Sequence, residues 1–327
     1  MSQDAHPSSS AGASADFAGQ ETLSGNGISH AAGLSICIPA WRDTASPLLT
    51  SLASLPDHKD CEILVYDDGS ADADMTRTIN TLLADFKGPA KLITAEKNHG
   101  RSHARNRLMA HATSDWLLML DADMLPDDEK FLTRYIEAMA GQSDPALIAG
   151  GFSLQQVTPT KAQSLHAAQS NRSECLGAAQ RQEAPGRYVF TSNILVHRKV
   201  LDAVYFDDGY KGWGWEDVDW GLRVADQFPI LHIDNTATHL GLDDTGTLLK
   251  KYGTSGANFA RLAAQHPAAA GDMPLFKVAR KLRRLPGRGL LETVCKTIAI
   301  APIGLTPMRL RLFALKLYRS VIYSRSL

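Results

Sequence analysis

The sequence predicts an α/β fold built on a mostly parallel β-sheet with helices on both faces. From Leu34 onward, short apolar segments alternate with amphipathic ones, which is the pattern of repeated strand and helix units. The segments LSICIP, CEILVYD and WLLML are almost entirely apolar, as expected for strands buried on both faces. The last two are followed by carboxylates, and open α/β sheets bind ligands beyond the carboxyl ends of their strands. A polar crevice is therefore expected at that edge.

The individual elements follow the same alternation. Strands are expected in LSICIP, CEILVYDDGS, AKLITAEKN and DWLLMLDADM, with helices between them at about 72–86 and in RSHARNRLMAHA. A helix at about 127–140 and an apolar strand, ALIAGGFSL, come next. After Gly151 the alternation breaks into a helical stretch near 162–179 and strands in YVFTSNILVHR and PILHIDNTATHLG.

Length and composition predict a soluble globular protein with a sizeable core. The chain has 327 residues, 44% of them hydrophobic, and a formal net charge of -1. Residues 1–33 are rich in Ser, Ala and Gly and lack an apolar run, which predicts a disordered tail rather than a signal peptide. An α/β domain is expected at 34–245 and a helical, basic region at 246–327.

Neither a structural zinc cluster nor a membrane-spanning helix is predicted. The four cysteines are far apart and form no CxxC pair, so a disulfide framework is not suggested either, and a reducing cytoplasm fits best. No stretch of eighteen or more uncharged apolar residues occurs.

Positive charge is concentrated at the end of the chain. From Asp272 onward there are twelve Lys or Arg residues and two acids, a local excess of roughly +10. The segment could form solvated helices that pack on the α/β domain. Alternatively, it could form an amphipathic anchor on an anionic inner leaflet. Nucleic-acid binding is not expected, because no aromatic single-strand platform or groove-reading helix is evident.

Two acidic clusters follow predicted strands. In LDADM, Asp121 and Asp123 alternate at a strand end, which would direct both carboxylates to the same side for a divalent cation. The alternative is an acidic turn that caps the next helix. In VYDDGS, Asp67 and Asp68 precede a glycine and could form a simple turn, or could accept hydrogen bonds from a nucleoside.

Basic residues and a histidine complete the candidate set. In NHGRSHARN, Arg101 and Arg105 are four residues apart on one predicted helix face and could form a cationic wall for a base or a diphosphate. A solvated helix is the simpler alternative. His239 follows an apolar strand and would complete an oxygen-dominated Mn²⁺ site, although a lone histidine is more often structural. His232 is a competing candidate.

The segment GWGWEDVDWGLR, residues 212–223, contains three Trp, three carboxylates and three Gly. A helix that begins near Glu216 would bury Val218, Leu222 and Ala225 on one stripe and leave Asp217 on another face. Its acidic first turn suits the positive end of the helix dipole. We therefore expect Asp217 to face the crevice.

Taken together, LSICIPAW, VYDDGS, NHGRSHARN, LDADM, TSN and GWGWEDVDWGLR followed by THLG resemble the family 2 glycosyltransferases. This resemblance covers residues 34–241 and implies a GT-A fold, an inverting mechanism and a nucleotide-sugar donor. The GWGxED form is most similar to chondroitin-polymerase-type and galactosyltransferase-type domains. Trp215 stands where those domains usually have a small residue, so it is predicted to alter the choice of sugar.

The resemblance also implies a role for each candidate. Asp217 would be the general base, and Glu216 would orient a sugar. The donor nucleotide would be bound by Pro39, Asp67, Asp68, Arg101, Arg105 and Asp121, and the sugar or acceptor by Asn193, Trp213 and Trp215. Asp123, His239 and Asp121 would hold Mn²⁺ or Mg²⁺.

The implied partners are a nucleotide-sugar, with uridine expected, and a glycan or lipid-linked acceptor in surface polysaccharide synthesis. The expected location is the cytoplasm, at the inner face of the cell membrane if the basic tail binds there. Two alternatives stay open at this point. A nucleotidyltransferase also places acids at strand ends, but IPAWRDTAS lacks its Gly-rich loop. An inactive sugar- or membrane-binding module would not need the full set of acids.

Overall fold

The computed structural model describes residues 21–302 and 304–327. It has the predicted α/β architecture, with eight strands in one sheet and three in a smaller one. The strands are β1 Glu21–Gly25, β2 Leu34–Ala40, β3 Cys61–Asp67, β4 Ala90–Ala95, β5 Trp116–Leu120, β6 Met124–Pro126, β7 Leu147–Ala149, β8 Phe152–Ser153, β9 Asn193–His197, β10 Ile230–His232 and β11 Ala237–His239.

The large sheet has the strand order β1-β4-β3-β2-β5-β9-β7-β10. Strands β2, β3, β4 and β5 are parallel, as are β7 and β10. Strands β1 and β9 run antiparallel to their neighbours. The small sheet has the order β6-β11-β8. The prediction of a mostly parallel sheet with helices on both faces is confirmed.

Fourteen α-helices occur among the described residues, together with short 3₁₀ helices at His58–Asp60 and Pro185–Tyr188. The α-helices are α1 Ser46–Ser54, α2 Ala73–Ala84, α3 Arg101–His111, α4 Phe131–Ala140, α5 Ser164–Ser173, α6 Ala178–Gln182, α7 Arg198–Ala203, α8 Glu216–Ala225, α9 Thr245–Thr254, α10 Gly256–Gln265, α11 Pro267–Asp272, α12 Pro274–Leu282, α13 Arg288–Ile300 and α14 Met308–Tyr323.

Two cores cover the two faces of the large sheet. Successive strand residues point to opposite faces, so Ile36 and Ile38 of β2 pack with α1, α2 and α4, whereas Cys37 packs with α3, α7 and α8. This double burial explains why the central strands are almost entirely apolar. It also leaves the strand ends as the place where polar side chains can gather.

The C-terminal helices build a third core. Leu248 of α9, Phe259 of α10, Ala299 of α13 and Leu315 of α14 are all buried in it. The C-terminal helices therefore pack on the rest of the protein through these buried residues, as one of the two alternatives for the basic region predicted. No helix among residues 21–302 and 304–327 is both long and apolar enough to cross a membrane.

The expectation of a disordered tail at 1–33 needs correction for residues 21–33. Strand β1 pairs antiparallel with β4, and Glu21 at its start accepts hydrogen bonds from Arg107, His111 and Tyr66. Burial opposes ionisation of Glu21, but these donors outweigh it and lower its pKa to about 2. The Ser- and Gly-rich composition gave no sign that β1 would form an edge strand, which the Glu21 carboxylate holds in place. The rest of the predicted tail, 1–20, lies outside the described residues.

Two predicted elements are interrupted. The helix expected from about Asp127 begins at Phe131, because the Asp127 carboxylate accepts hydrogen bonds from Thr236 and Thr238 beside the small sheet. The strand expected in ALIAGGFSL is split between the two sheets at Gly150 and Gly151. PILHIDNTATHLG is divided in the same way into β10 and β11. The small sheet is the part of the fold that the alternation did not predict.

Candidate functional site

A crevice of about 880 Å³ lies beyond the carboxyl ends of β2, β3 and β5. Helices α3, α5, α8 and α9 contribute residues to its walls. Of the thirteen candidates from the sequence, nine line this crevice: Pro39, Asp68, Arg101, Asp121, Asp123, Trp213, Glu216, Asp217 and His239. The other four, Asp67, Arg105, Asn193 and Trp215, are absent from its lining.

Asp68 shapes one wall of the crevice through the loop after β4. Its carboxylate accepts hydrogen bonds from the backbone N–H groups of His99 (2.9 Å) and Gly100 (2.8 Å) and from the Asn98 side chain (2.9 Å). The neighbouring Asp67 is buried, and its Oδ1 accepts a hydrogen bond from the Ser70 backbone. Of the two acids in the VYDDGS segment, only Asp68 lines the crevice, and it too is largely buried.

Arg105 occupies a different position from the one predicted. Its side chain is 1% exposed and lies behind the crevice, where Nη2 donates to Asp121 Oδ1 at 2.9 Å and Nη1 lies 3.7 Å from Asp217 Oδ1. Burial lowers the pKa of the guanidinium, but the three facing carboxylates outweigh this and raise it. The predicted contact of Arg105 with a nucleotide is corrected to a buried ionic bridge between two acids. Arg101, one helical turn earlier, is half exposed on the crevice wall.

Asp121 and Asp123 occupy a turn between β5 and β6 instead of a continued strand. Their side chains consequently have different partners. Asp121 binds Arg105, whereas Asp123 Oδ2 lies 3.1 Å from His239 Nε2. Burial raises the pKa of Asp123, but the contact with His239 outweighs it and lowers that pKa, while the contact raises the pKa of the imidazole despite its burial. Asp121 is not part of this pair.

The Asp123 and His239 pair fits a divalent cation in its chemistry. A carboxylate and an imidazole are ligands that Mn²⁺ accepts. Gly241 leaves the space beside them open, since a Cβ atom there would lie 2.0 Å from Asp123 Oδ2. No group of three or more His, Cys, Asp or Glu residues in the described part of the chain is arranged to hold a metal. An ion at this pair would therefore need oxygens from a ligand or water as well.

The first turn of α8 presents two carboxylates to the crevice. Asp217 Oδ1 accepts a hydrogen bond from the Thr191 hydroxyl at 2.7 Å, which fixes the orientation of the carboxylate. Glu216 is buried beside it, with Arg101 at 3.8 Å. Burial raises the pKa of Glu216, and repulsion by Asp217 adds to the effect. Asp217 lies at the positive end of the helix dipole, where a charged carboxylate is stabilised.

The two tryptophans before α8 point to different places. Trp213 lines the crevice, but Trp215 packs against Phe259 and Tyr323 of the C-terminal helices. The predicted sugar contact of Trp215 is therefore corrected to a contact within the third core. Asn193 is also corrected: it is 1% exposed, and its side chain bonds to the carbonyls of Gly151 and Asn235.

Several residues in or next to the crevice were not predicted. Thr191, which orients Asp217, lies in the quoted TSN segment but was not assigned a role. His166 of α5 and Lys251 of α9 line the crevice, and Lys251 is paired with Asp243 at 2.6 Å. No local pattern marks His166 or Lys251, because they come from helices that only the tertiary fold brings to the crevice. His232, the competing histidine, contacts the buried Arg181 outside the crevice.

A family model described as glycosyl transferase family 2 matches residues 35–204, just over half of the chain. The protein belongs to glycosyl transferase family 2. Its α/β fold is of the GT-A type. The matched range contains three of the acids that line the crevice, Asp68, Asp121 and Asp123. It ends before α8, His239 and the C-terminal helices.

Similar proteins agree with this membership. The family 2 protein is 24% identical over 238 residues to the uncharacterized glycosyltransferase YfnE of Bacillus subtilis, and 25% identical over 226 residues to the hyaluronan synthase of Pasteurella multocida. These alignments cover 58% and 59% of the chain, but only 59% and 22% of the two relatives. The mannosyltransferase PcManGT of Pyrobaculum calidifontis, solved with GDP-Man and Mn²⁺, has a similar fold, with a TM-score of 0.53, 15% identity and coverage of 90% and 88% of the two chains.

Proposed function

We propose that the enzyme is a metal-dependent, inverting glycosyltransferase that moves a sugar from a uridine diphosphate sugar to a hydroxyl group. The acceptor in this proposal is a glycan or a lipid-linked saccharide of surface polysaccharide synthesis. The observation that carries the proposal is that Asp217 and the Asp123 and His239 pair line one crevice. The hyaluronan synthase among its relatives and the GDP-Man and Mn²⁺ bound by PcManGT support the same class of reaction.

The reaction breaks the bond between the anomeric carbon and a diphosphate oxygen. An acceptor hydroxyl attacks the anomeric carbon from the opposite face and must lose its proton as the new bond forms. In the proposal Asp217 takes this proton, since its carboxylate is exposed to the crevice and oriented by Thr191. Attack from the face opposite to the leaving group inverts the anomeric configuration.

The donor would lie between the wall that Asp68 shapes and helix α8. Asp68 would meet the nucleoside, and Asp123 with His239 would hold Mn²⁺ or Mg²⁺. When bound, the metal would neutralise charge on the departing diphosphate. Arg101, half exposed at the same crevice, can supply further positive charge to the phosphates. Trp213 offers an aromatic face against which a sugar ring can pack.

The test is Asp217→Asn, which keeps the shape of the side chain but cannot accept a proton. Turnover should fall on the order of 10²- to 10⁴-fold, while donor binding measured by calorimetry with UDP and Mn²⁺ should change little. Asp226→Asn is the matched control, because Asp226 lies exposed at the end of the same helix. A near-normal rate for Asp217→Asn would remove it as the base.

Product analysis separates the alternatives. Incubation with UDP-, GDP- and dTDP-sugars should release a nucleoside diphosphate from the preferred donor, and NMR of the product should show an inverted anomeric centre. Release of pyrophosphate from a nucleoside triphosphate would indicate a nucleotidyltransferase instead. Donor binding without release of any product would indicate an inactive module.

We also propose that the C-terminal helices bind an anionic membrane surface. Exposed large apolar residues concentrate there: Val278, Leu285, Leu290, Val294, Ile300, Leu305, Leu310 and Phe313. From Met273 onward the chain has twelve basic residues and one acid, Glu292, which is paired with Arg325. Exposed apolar side chains among Lys and Arg residues suit the interface of a bilayer with anionic headgroups.

Vesicle sedimentation tests this partner. The protein should bind vesicles that contain phosphatidylglycerol better than vesicles of phosphatidylcholine alone, and salt should weaken the binding. The double variant Leu290→Ser/Phe313→Ser should reduce binding, whereas Leu23→Ser, which changes an exposed leucine of β1, should not. Equal binding by both variants, or self-association through the same face in place of vesicle binding, would contradict the proposal.

A further inference from the structure

The loop that precedes the catalytic helix has an unusual backbone. We call residues 211–215 the Gly-Trp loop. Gly212, Gly214 and Trp215 all have positive φ angles, of 75°, 93° and 80°. Glycine adopts this conformation freely, but a tryptophan does so only where its surroundings hold it. Trp215 is also the residue immediately before α8. Its backbone conformation therefore determines where the helix begins and where Glu216 and Asp217 are placed.

The Trp215 side chain is held by the last helix of the chain. Its indole N–H donates to the Tyr323 hydroxyl at 3.1 Å, and its ring lies 4.8 Å from that of Phe259. The Arg319 guanidinium lies 4.9 Å from the centre of the same indole ring. Trp215 is thus enclosed by residues of α10 and α14, more than forty positions away in sequence.

The Tyr323 hydroxyl uses its full hydrogen-bonding capacity. It accepts from Trp215 Nε1 and from Arg319 Nε, both at 3.1 Å. Its own proton can go to Ser255 Oγ at 2.7 Å, because the Ser255 hydroxyl donates to the Tyr252 carbonyl. Two acceptor positions and one donor are all a phenol offers. Removal of this single oxygen atom would leave three partners without their bond.

A second contact holds the loop backbone. The Asn258 amide of α10 donates to the carbonyls of Lys211 and Gly214, both at 3.0 Å. Its oxygen accepts from the Lys211 N–H at 3.3 Å. The loop therefore has one fixation through its backbone and another through Trp215. Between the two lies Trp213, which lines the crevice.

We infer that Tyr323 and Asn258 are positioning residues, which set the Gly-Trp loop and thereby place Asp217 and Trp213 for the transfer reaction. This inference rests on the proposed function and extends it to residues beyond the family-matched range 35–204. The C-terminal helices are then part of the catalytic unit. Neither residue lines the crevice, so each acts through the loop.

The test compares two tyrosines on the same helix. Tyr323→Phe removes the hydroxyl that holds Trp215. Tyr318→Phe makes the same chemical change in the same core, where the hydroxyl donates to the Leu249 carbonyl of α9 and not to the loop. We expect kcat to fall on the order of 10- to 100-fold in Tyr323→Phe, with the donor KM within about threefold, because a small misplacement of reacting groups is costly. Tyr318→Phe should keep kcat close to that of the wild type.

A second variant and a second readout complete the design. Asn258→Asp retains the acceptor oxygen but loses the two donated bonds, so it should also lower kcat more than KM. Hydrogen–deuterium exchange of amides 211–217 should accelerate in Tyr323→Phe and Asn258→Asp and stay unchanged in Tyr318→Phe. Faster exchange would support the positioning role even if no transferase activity were found, which would count against the proposed function alone. Unchanged exchange in Tyr323→Phe, or equal losses of kcat in both tyrosine variants, would overturn the inference.

Discussion

Replacement of Arg105 by methionine removes a buried cation from between two carboxylates. Unit charges about 4 Å apart attract by about 4 kcal/mol at an effective dielectric constant of 20, and burial of the guanidinium offsets much of this. Loss of one partner from a fully buried pair costs about 3–5 kcal/mol. Asp121 and Asp217 are each 27% exposed, so water can recover part of that cost. We therefore expect Arg105→Met to lower the free energy of unfolding by about 2–3 kcal/mol.

Urea denaturation followed by circular dichroism measures this change, and a double-mutant cycle identifies its origin. Asp121→Asn alone should also destabilise the protein. The double variant Arg105→Met/Asp121→Asn should be more stable than the sum of the two losses predicts, because the second change removes an acid that had already lost its partner. Full additivity would refute the ionic bridge. Normal stability of Arg105→Met with lost UDP affinity would instead restore the predicted role of Arg105 as a nucleotide ligand.

Three further predictions follow from single contacts. Gly241→Ala should abolish Mn²⁺-dependent UDP binding in calorimetry, since the added Cβ atom would collide with Asp123. The control Gly289→Ala should bind normally, because a Cβ atom at that position has no neighbour within 4 Å. Asn193→Ala should cost about 2–4 kcal/mol in urea denaturation, because buried partners lose their bonds; unchanged stability would contradict its structural role. Glu21 has a pKa near 2 in the fold against 4.5 ordinarily, so its stabilisation is present above pH 4.5 and is lost as the pH falls towards 2. Glu21→Gln should flatten that part of the stability profile, and an unaltered profile would refute the anchor.

Strand ends were predictable because they depend on a local alternation. Apolar runs that stop at acids predicted that Asp67, Asp68, Asp121 and Asp123 would share a crevice, and all of these except Asp67 line it. Which of the two adjacent acids, Asp67 or Asp68, would line the crevice was not predictable. Asp67 is still within β3 and turns towards Ser70, while Asp68 has left the strand and reaches the next loop. The choice depends on where pairing ends, and that is set by the neighbouring strands.

The face of α8 was assigned incorrectly, because the helix lies between two cores. The prediction buried Val218, Leu222 and Ala225 on a single stripe. In the structure Trp220 and Val224 are buried against the sheet, Val218 and Leu222 are partly buried against the C-terminal helices, and Ala225 is exposed. A periodic pattern can reveal an apolar stripe but not the existence of a second partner layer. The domain boundary expected near residue 245 stays a prediction.

The three acids of the first turn of α8 have three separate roles, which a general preference of acids for helix N-termini would not produce. Asp219 is fully buried and binds Arg223 and His266, so its charge is neutralised within the fold. Glu216 is buried at the crevice with a raised pKa. Only Asp217 combines access to the crevice, a hydrogen bond from Thr191 and the field of the helix dipole. If the dipole alone explained these acids, their replacements by the corresponding amides would have similar small effects. We expect instead that Asp219→Asn lowers stability, whereas Asp217→Asn lowers turnover.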